Sequence, residues 1–215
     1  MSKTPLQTAR VATAGVATVL SLVLIACTHG PQASARAPLV VDASASSLRF
    51  VSTKAGAAGV GGVVEVHKFE RFQGGLDANG TVRLDIELAS VNTGVGIRDE
   101  RLRTMLFNVA TSPKATFTAK IDSAKLHALP ANGSVDLDVD GTLSLAGQAR
   151  PTPAQLRVTR LSAHSLQVAT RAPIVVDAQH FGLKPGVEAL REVMGLTFLA
   201  AAAPVTMNLV LNEQR

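Results

Sequence analysis

Apolar and polar residues alternate with a period of two in five separate runs of this chain. Leu48, Phe50 and Ser52 alternate with Arg49, Val51 and Thr53. Val82, Leu84, Ile86 and Leu88 alternate with Arg83, Asp85 and Glu87. Ala115, Phe117, Ala119 and Ile121 interleave with Lys114, Thr116, Thr118 and Lys120. Val135, Leu137, Val139, Gly141, Leu143 and Leu145 interleave with Asp136, Asp138, Asp140, Thr142 and Ser144, and Val205, Met207, Leu209 and Leu211 with Thr206, Asn208 and Val210. A strand of this kind buries one face and wets the other, as antiparallel sheets do. Turn-forming clusters separate the runs, among them Asp77-Ala78-Asn79-Gly80, Pro130-Ala131-Asn132-Gly133 and Ala146-Gly147-Gln148. Many short strands with frequent turns predict a sandwich or a barrel. Two stretches follow a helical period instead. Arg98 to Phe107 puts Leu102, Met105 and Leu106 on one face, and Val187 to Met194 gathers Val187, Leu190, Val193 and Met194. Ala149 to Ala172 keeps the alternation only loosely.

The N-terminus carries a different pattern. Met1 to Arg10 holds Lys3 and Arg10 and no acid, and Val11 to Ala26 is an unbroken run of 16 apolar and small residues. A membrane-spanning helix takes ~20, so residues 1–26 read as a cleaved secretion signal. Leu24-Ile25-Ala26-Cys27 resembles the lipobox of bacterial lipoproteins, whose cysteine is diacylated and becomes the first mature residue. Cys27 is the only cysteine, so it has no intramolecular disulfide partner in an oxidising compartment. A competing cut lies after Ala33-Ser34-Ala35 and would discard it. Residues 27–38 then form the lipidated cysteine and a small, polar, proline-bearing tether, and 39–215 the domain. Thr28, rather than an acid, follows the cysteine; in enterobacterial lipoproteins that favours the outer membrane. The expectation is an exported protein on the periplasmic face of the cell envelope, held to the outer membrane through Cys27, where each buried acyl methylene contributes about 0.8 kcal/mol.

Composition narrows the partners. The whole chain has a net charge of +5. Without Lys3 and Arg10 it keeps 19 basic against 16 acidic residues, or +3. With no Trp, no Tyr and seven Phe it has no stacking platform for single-stranded nucleic acid, and nucleic-acid binding is not expected.

From residue 63 onward the chain resembles the YceI-like family. The resemblance rests on Val63-Val64-Glu65-Val66-His67-Lys68-Phe69, Phe72-Gln73-Gly74-Gly75-Leu76, Ser90-Val91-Asn92-Thr93-Gly94, Arg98-Asp99-Glu100-Arg101, Leu106-Phe107-Asn108 and Pro113-Lys114-Ala115-Thr116-Phe117. Gly141-Thr142-Leu143 to Gly147 and Asp177 to Leu183 continue it, with His180 where the family carries an acid. It covers about residues 38 to 213. The resemblance implies an all-β fold: a lipocalin-like, antiparallel, up-and-down β-barrel of about eight strands with two short helices. It also implies a barrel able to hold an isoprenoid or other amphiphilic lipid. Alternation alone reaches only an antiparallel β domain.

On that basis Phe50, Phe69, Phe72, Leu84, Ile86, Leu102, Leu106, Phe107, Phe117 and Leu143 are candidate cavity-lining residues, the alternative for each being ordinary core packing. Arg98 and Arg101 are candidate head-group ligands, since a guanidinium binds oxyanions in bidentate fashion; the alternative is a helix start with intra-helix ion pairs. Glu65 and His67 share a strand face. The histidines show no metal-ligand spacing, so no metal is expected. No nucleophile–base motif, P-loop or carboxylate pair stands out, and no catalytic residue or cofactor is expected. The leading expectation is a non-enzymatic envelope lipoprotein binding an apolar-tailed lipid, such as a polyprenyl chain or an isoprenoid quinone, for sequestration, transport or stress protection. The alternative is a structural or interaction lipoprotein with a packed, ligand-free barrel and an unidentified protein partner.

Overall fold

The computed structural model describes residues 37–56 and 62–214. The expected secretion signal, Cys27 and the expected tether as far as residue 36 lie outside the described residues. The strands are β1 (Leu39–Ala55), β2 (Val63–Phe69), β3 (Phe72–Leu76), β4 (Thr81–Glu87), β5 (Val91–Asn92), β6 (Lys114–Lys120), β7 (Ser134–Leu145), β8 (Gln148–Ser162), β9 (Ser165–Thr170), β10 (Ile174–Asp177), β11 (Phe198–Leu199) and β12 (Ala202–Glu213). The helices are α1 (Gly96–Arg101), which runs into a π-helical turn at Leu102–Leu106, α2 (Ser123–His127) and α3 (Lys184–Val193). The short α2 is absent from the sequence reading.

Eight strands close on themselves in the order β1-β3-β4-β6-β7-β8-β9-β12, and β12 pairs back to β1. All pairings are antiparallel. The two long strands at the seam change neighbours along their length. β1 meets β3 at Leu39 and Val40, then β2 from Leu48 to Lys54. β12 meets β10 from Ala202 to Val205, then β9 from Asn208 to Asn212. The barrel is therefore a tight eight-strand tube at one end. At the other end β2 and β10 flare from the seam, and the gap is filled by α1, its π-turn and α3.

A bulge in β1 between Asp42 and Ser47 absorbs this change of direction. Its backbone groups are satisfied locally. The Asp42 carboxylate accepts from the Ser44 and Ala45 amides at 3.0 and 3.3 Å, and the Ser46 hydroxyl accepts from Val210 N at 2.9 Å. Ser46 thus supplies the acceptor that the bulged backbone cannot. The loose alternation of β8 also has a cause. Pro151 and Pro153 pair with β7 on one side, but β9 joins β8 only from Leu156 onward, so their missing N–H groups interrupt no second ladder.

The tight end is lined by large aliphatic side chains: Leu39, Leu76, Val139, Leu156, Val158, Leu166, Leu209 and Leu211 are all buried. α2 packs Leu126 into this end, and Asp122 caps it by accepting from Ala124 N at 3.0 Å. At the other end α3 starts after Gly182, which is left-handed at φ 72°. Gly186 of α3 lies so close to Met105 O and Leu106 of the π-turn that a side chain would force the two apart.

Mid-barrel, the ring of Phe117 lies over Gly141 of β7, where any Cβ would run into it. Gly141→Ala should therefore cost about 1–3 kcal/mol through overpacking, read as a lower denaturant midpoint with unchanged slope. An unchanged midpoint would mean that Phe117 turns aside freely.

Candidate functional site

The flared half encloses a cavity of about 210 Å³. That exceeds the ~150 Å³ of an engineered apolar cavity that stays dry and takes up benzene. Its wall is built strand by strand from inward positions. β1 contributes Leu48, Phe50 and Ser52; β4, Leu84 and Ile86; β6, Ala115 and Phe117; β7, Leu143 and Leu145. β10 adds Ile174 and Val176, and β12 adds Ala203, Val205 and Met207. The roof comes from Leu102 and Leu106 of the π-turn, Phe107 after it, and Val187 and Leu190 of α3. An eight-strand barrel is just wide enough to be filled by side chains or to hold one slim guest. Alanines at 115, 178, 200, 201 and 203 in this wall leave space that larger side chains would fill.

Of the ten candidate lining residues, Phe50, Phe69, Leu84, Ile86, Leu102, Leu106, Phe107, Phe117 and Leu143 surround the cavity. Phe72 does not. It is buried in β3 opposite Ile86 and packs in the core. Three of the rings form a tilted chain along one side, with centroids 5.3 Å apart for Phe50–Phe69 and 6.1 Å for Phe69–Phe107, within the range of favourable aromatic contacts. Below the cavity lies a second void of about 70 Å³, and Leu84, Phe117 and Met207 line both. These three make a waist between the two spaces. The contribution of β10 and the roof position of α3 were not read from the sequence: β10 is too short to show a period, and the α3 stripe shows amphipathicity without saying what it covers.

The wall carries two hydroxyls, Ser52 and Thr152. Thr152 donates to Arg150 O of its own strand at 3.1 Å. Ser52 is 2.8 Å from His67 Nε2. His67 is only 4 % exposed, its ring is 5.1 Å from that of Phe50, and its Nδ1 is buried with no hydrogen-bond partner among the described residues. Further toward the rim, one oxygen of Glu65 takes both Lys54 Nζ and Arg98 NH1, each at 2.6 Å. Asp99 is buried and accepts from Thr93 N at 2.8 Å and Thr93 Oγ1 at 2.6 Å, which fixes the start of α1. Arg103 donates to the carbonyls of Ala89 and Val91. Arg98 is thus committed to Glu65, while Arg101, half-buried, forms no ion pair among the described residues. No group of three or more His, Cys, Asp or Glu among the described residues is placed to hold a metal ion.

Lys54, with Arg98 behind it, holds the Glu65 carboxyl below the usual carboxylate range against its burial. Burial, reinforced by Arg98 and only partly offset by Glu65, pushes the His67 imidazole below its ordinary 6.5. The unfolded chain therefore binds a proton that folded His67 refuses, so stability rises with pH in the window just under 6.5 and is lost as pH falls through it. The lowered Glu65 carboxyl acts in a lower window, beneath its ordinary 4.5. Denaturation midpoints taken between pH 7 and pH 5 should fall on acidification, and His67→Gln should flatten that fall. An equal slope in the variant would show that His67 charges without penalty.

Comparison with known proteins agrees with this architecture. The family model of the YceI-like domain matches residues 39–211. A solved polyisoprenoid-binding domain from Saccharophagus degradans, implicated in plant cell wall breakdown, is 35% identical. The similarity covers 83% of this chain and 100% of that domain, with a TM-score of 0.78. BcnA of Burkholderia cenocepacia is 20% identical over 79% of this chain and 98% of its own, with a TM-score of 0.59, and shares the fold. No curated protein sequence matches. By its fold and by the match along nearly all of its described residues, the chain belongs to the YceI-like domain family.

Proposed function

We propose that this protein is a non-enzymatic lipoprotein of the cell envelope that carries an amphiphilic lipid of isoprenoid or quinone type in its barrel, for sequestration, transport or stress protection. The observation that carries the reading is the 210 Å³ cavity, walled almost entirely by hydrocarbon. Burying apolar tail there yields about 25 cal/mol per Å², and the only polar side chains the wall offers a branched chain are the hydroxyls of Ser52 and Thr152. The polyisoprenoid binding named for the Saccharophagus degradans domain supports the same class of guest. A fully packed, ligand-free barrel fits this interior less well. A membrane anchor at Cys27 would keep such a carrier beside its lipid reservoir, on the periplasmic face of the outer membrane.

Organic extraction of the natively purified protein, followed by mass spectrometry, should release a lipid in near-stoichiometric amount. Ala115→Phe, which fills the cavity from β6, should leave the extract empty while the barrel still unfolds cooperatively. A clean extract from the parent protein, together with no uptake of added prenyl lipids, would sink the reading. The intact mass of the exported protein should show acylation at Cys27; a chain starting at Arg36 would remove the anchor.

A further inference from the structure

The inward face of β1 runs from grease to charge. Leu48 and Phe50 stand deep in the cavity, Ser52 comes next, and Lys54 is at the rim. Successive inward residues on a strand are ~7 Å apart. A guest whose apolar tail fills the deep part therefore brings its head to Ser52. We propose that Ser52, oriented by His67, is the head-group station of this cavity, and that it selects an uncharged head carrying an acceptor oxygen, such as a ketone, ester or amide. The inference rests on the lipid-carrier reading above and refines it.

The chemistry follows from the hydrogen bond between Ser52 Oγ and His67 Nε2. His67 is neutral and buried, so one ring nitrogen carries the proton. A proton on Nδ1 would leave a buried N–H with no acceptor, since that atom has no partner among the described residues, and orphaned donors are the rarer and costlier case. The favoured tautomer thus keeps its proton on Nε2 and donates to Ser52. The Ser52 hydroxyl proton is then free to point into the cavity, where it meets a guest's acceptor oxygen. Thr152, the other wall hydroxyl, is already bonded to its own strand. An anionic head is matched poorly. The nearest cations, Lys54 and Arg98, are both closed onto Glu65, and a phosphate would have to displace that carboxylate.

The test uses the full chain and three probes with the same farnesyl tail: farnesene, farnesylacetone and farnesyl phosphate, each displacing a fluorescent apolar reporter. The ketone should bind roughly fivefold tighter than the hydrocarbon, the worth of one net hydrogen bond, and the phosphate should gain nothing over the hydrocarbon. Ser52→Ala should erase the ketone's advantage, bringing its affinity down to that of farnesene. Ser52→Thr, which keeps the hydroxyl, should restore it and so separate the donor from any general loosening of the wall. Equal binding of ketone and hydrocarbon by the parent protein overturns the head-group assignment while the carrier reading stands. So does tightest binding of the phosphate, or an equal loss of both neutral probes in Ser52→Ala. Failure of all three probes to displace the reporter overturns the carrier reading and this inference together.

Discussion

Closure of the sheet between β1 and β12 constrains everything else in the molecule. An antiparallel sheet that closes leaves no long edge, and it fixes how many strands share the perimeter. With eight strands the interior has one narrow choice, to be stuffed with side chains or to hold a thin guest. The seam pairs β1 with β12 on both sides of the Asp42–Ser47 bulge. Because both strands trade partners around that bend, one barrel makes both choices. Its tight half is packed with leucine and valine down to the small 70 Å³ void, and its flared half is roofed by helices over the larger cavity. The Asp42 and Ser46 side chains that satisfy the bulge are therefore part of what makes the cavity possible.

The roof is as specified as the wall. The π-turn at Leu102–Leu106 brings Leu102, Leu106 and the following Phe107 together over the cavity. Asp99 bonded to Thr93, and Arg103 bonded to the carbonyls of Ala89 and Val91, tie α1 and the start of that segment to the chain before it. Gly186 lets α3 lie against it at backbone distance. Two of the arginines here are tied into the architecture: a carboxylate on β2 holds Arg98, and two carbonyls hold Arg103.

Much of this was legible in the sequence, for a physical reason. β4, β6, β7 and β12 each bury one face against hydrocarbon and wet the other, so their period shows. The family resemblance then turned an antiparallel domain into a closed barrel. β2 was harder, because its polarity is inverted. Glu65 and His67 face inward, while Val64 and Val66 lie 65 and 61 % exposed on the outside. A pattern that equates apolar with inward misplaces such a strand, although the shared face of Glu65 and His67 was visible from their spacing. β8 hid behind two prolines, harmless only because one flank lacks a neighbour, which is a property of the assembled sheet. Phe72 shows the converse: its hydrophobicity was plain, but whether a buried ring touches a cavity or only other side chains depends on where the strands splay.

The waist at Leu84, Phe117 and Met207 divides the molecule in a way that concerns its endurance more than its binding. Beneath it lies the more tightly packed half, where β1 and β12 pair from Leu39 to Asp42. Above it lies the half that holds the larger open space. A barrel whose seam is held mainly in one half and whose open space lies in the other can change that space without losing its closure. Phe117, seated on Gly141, is the partition that keeps those two duties from interfering.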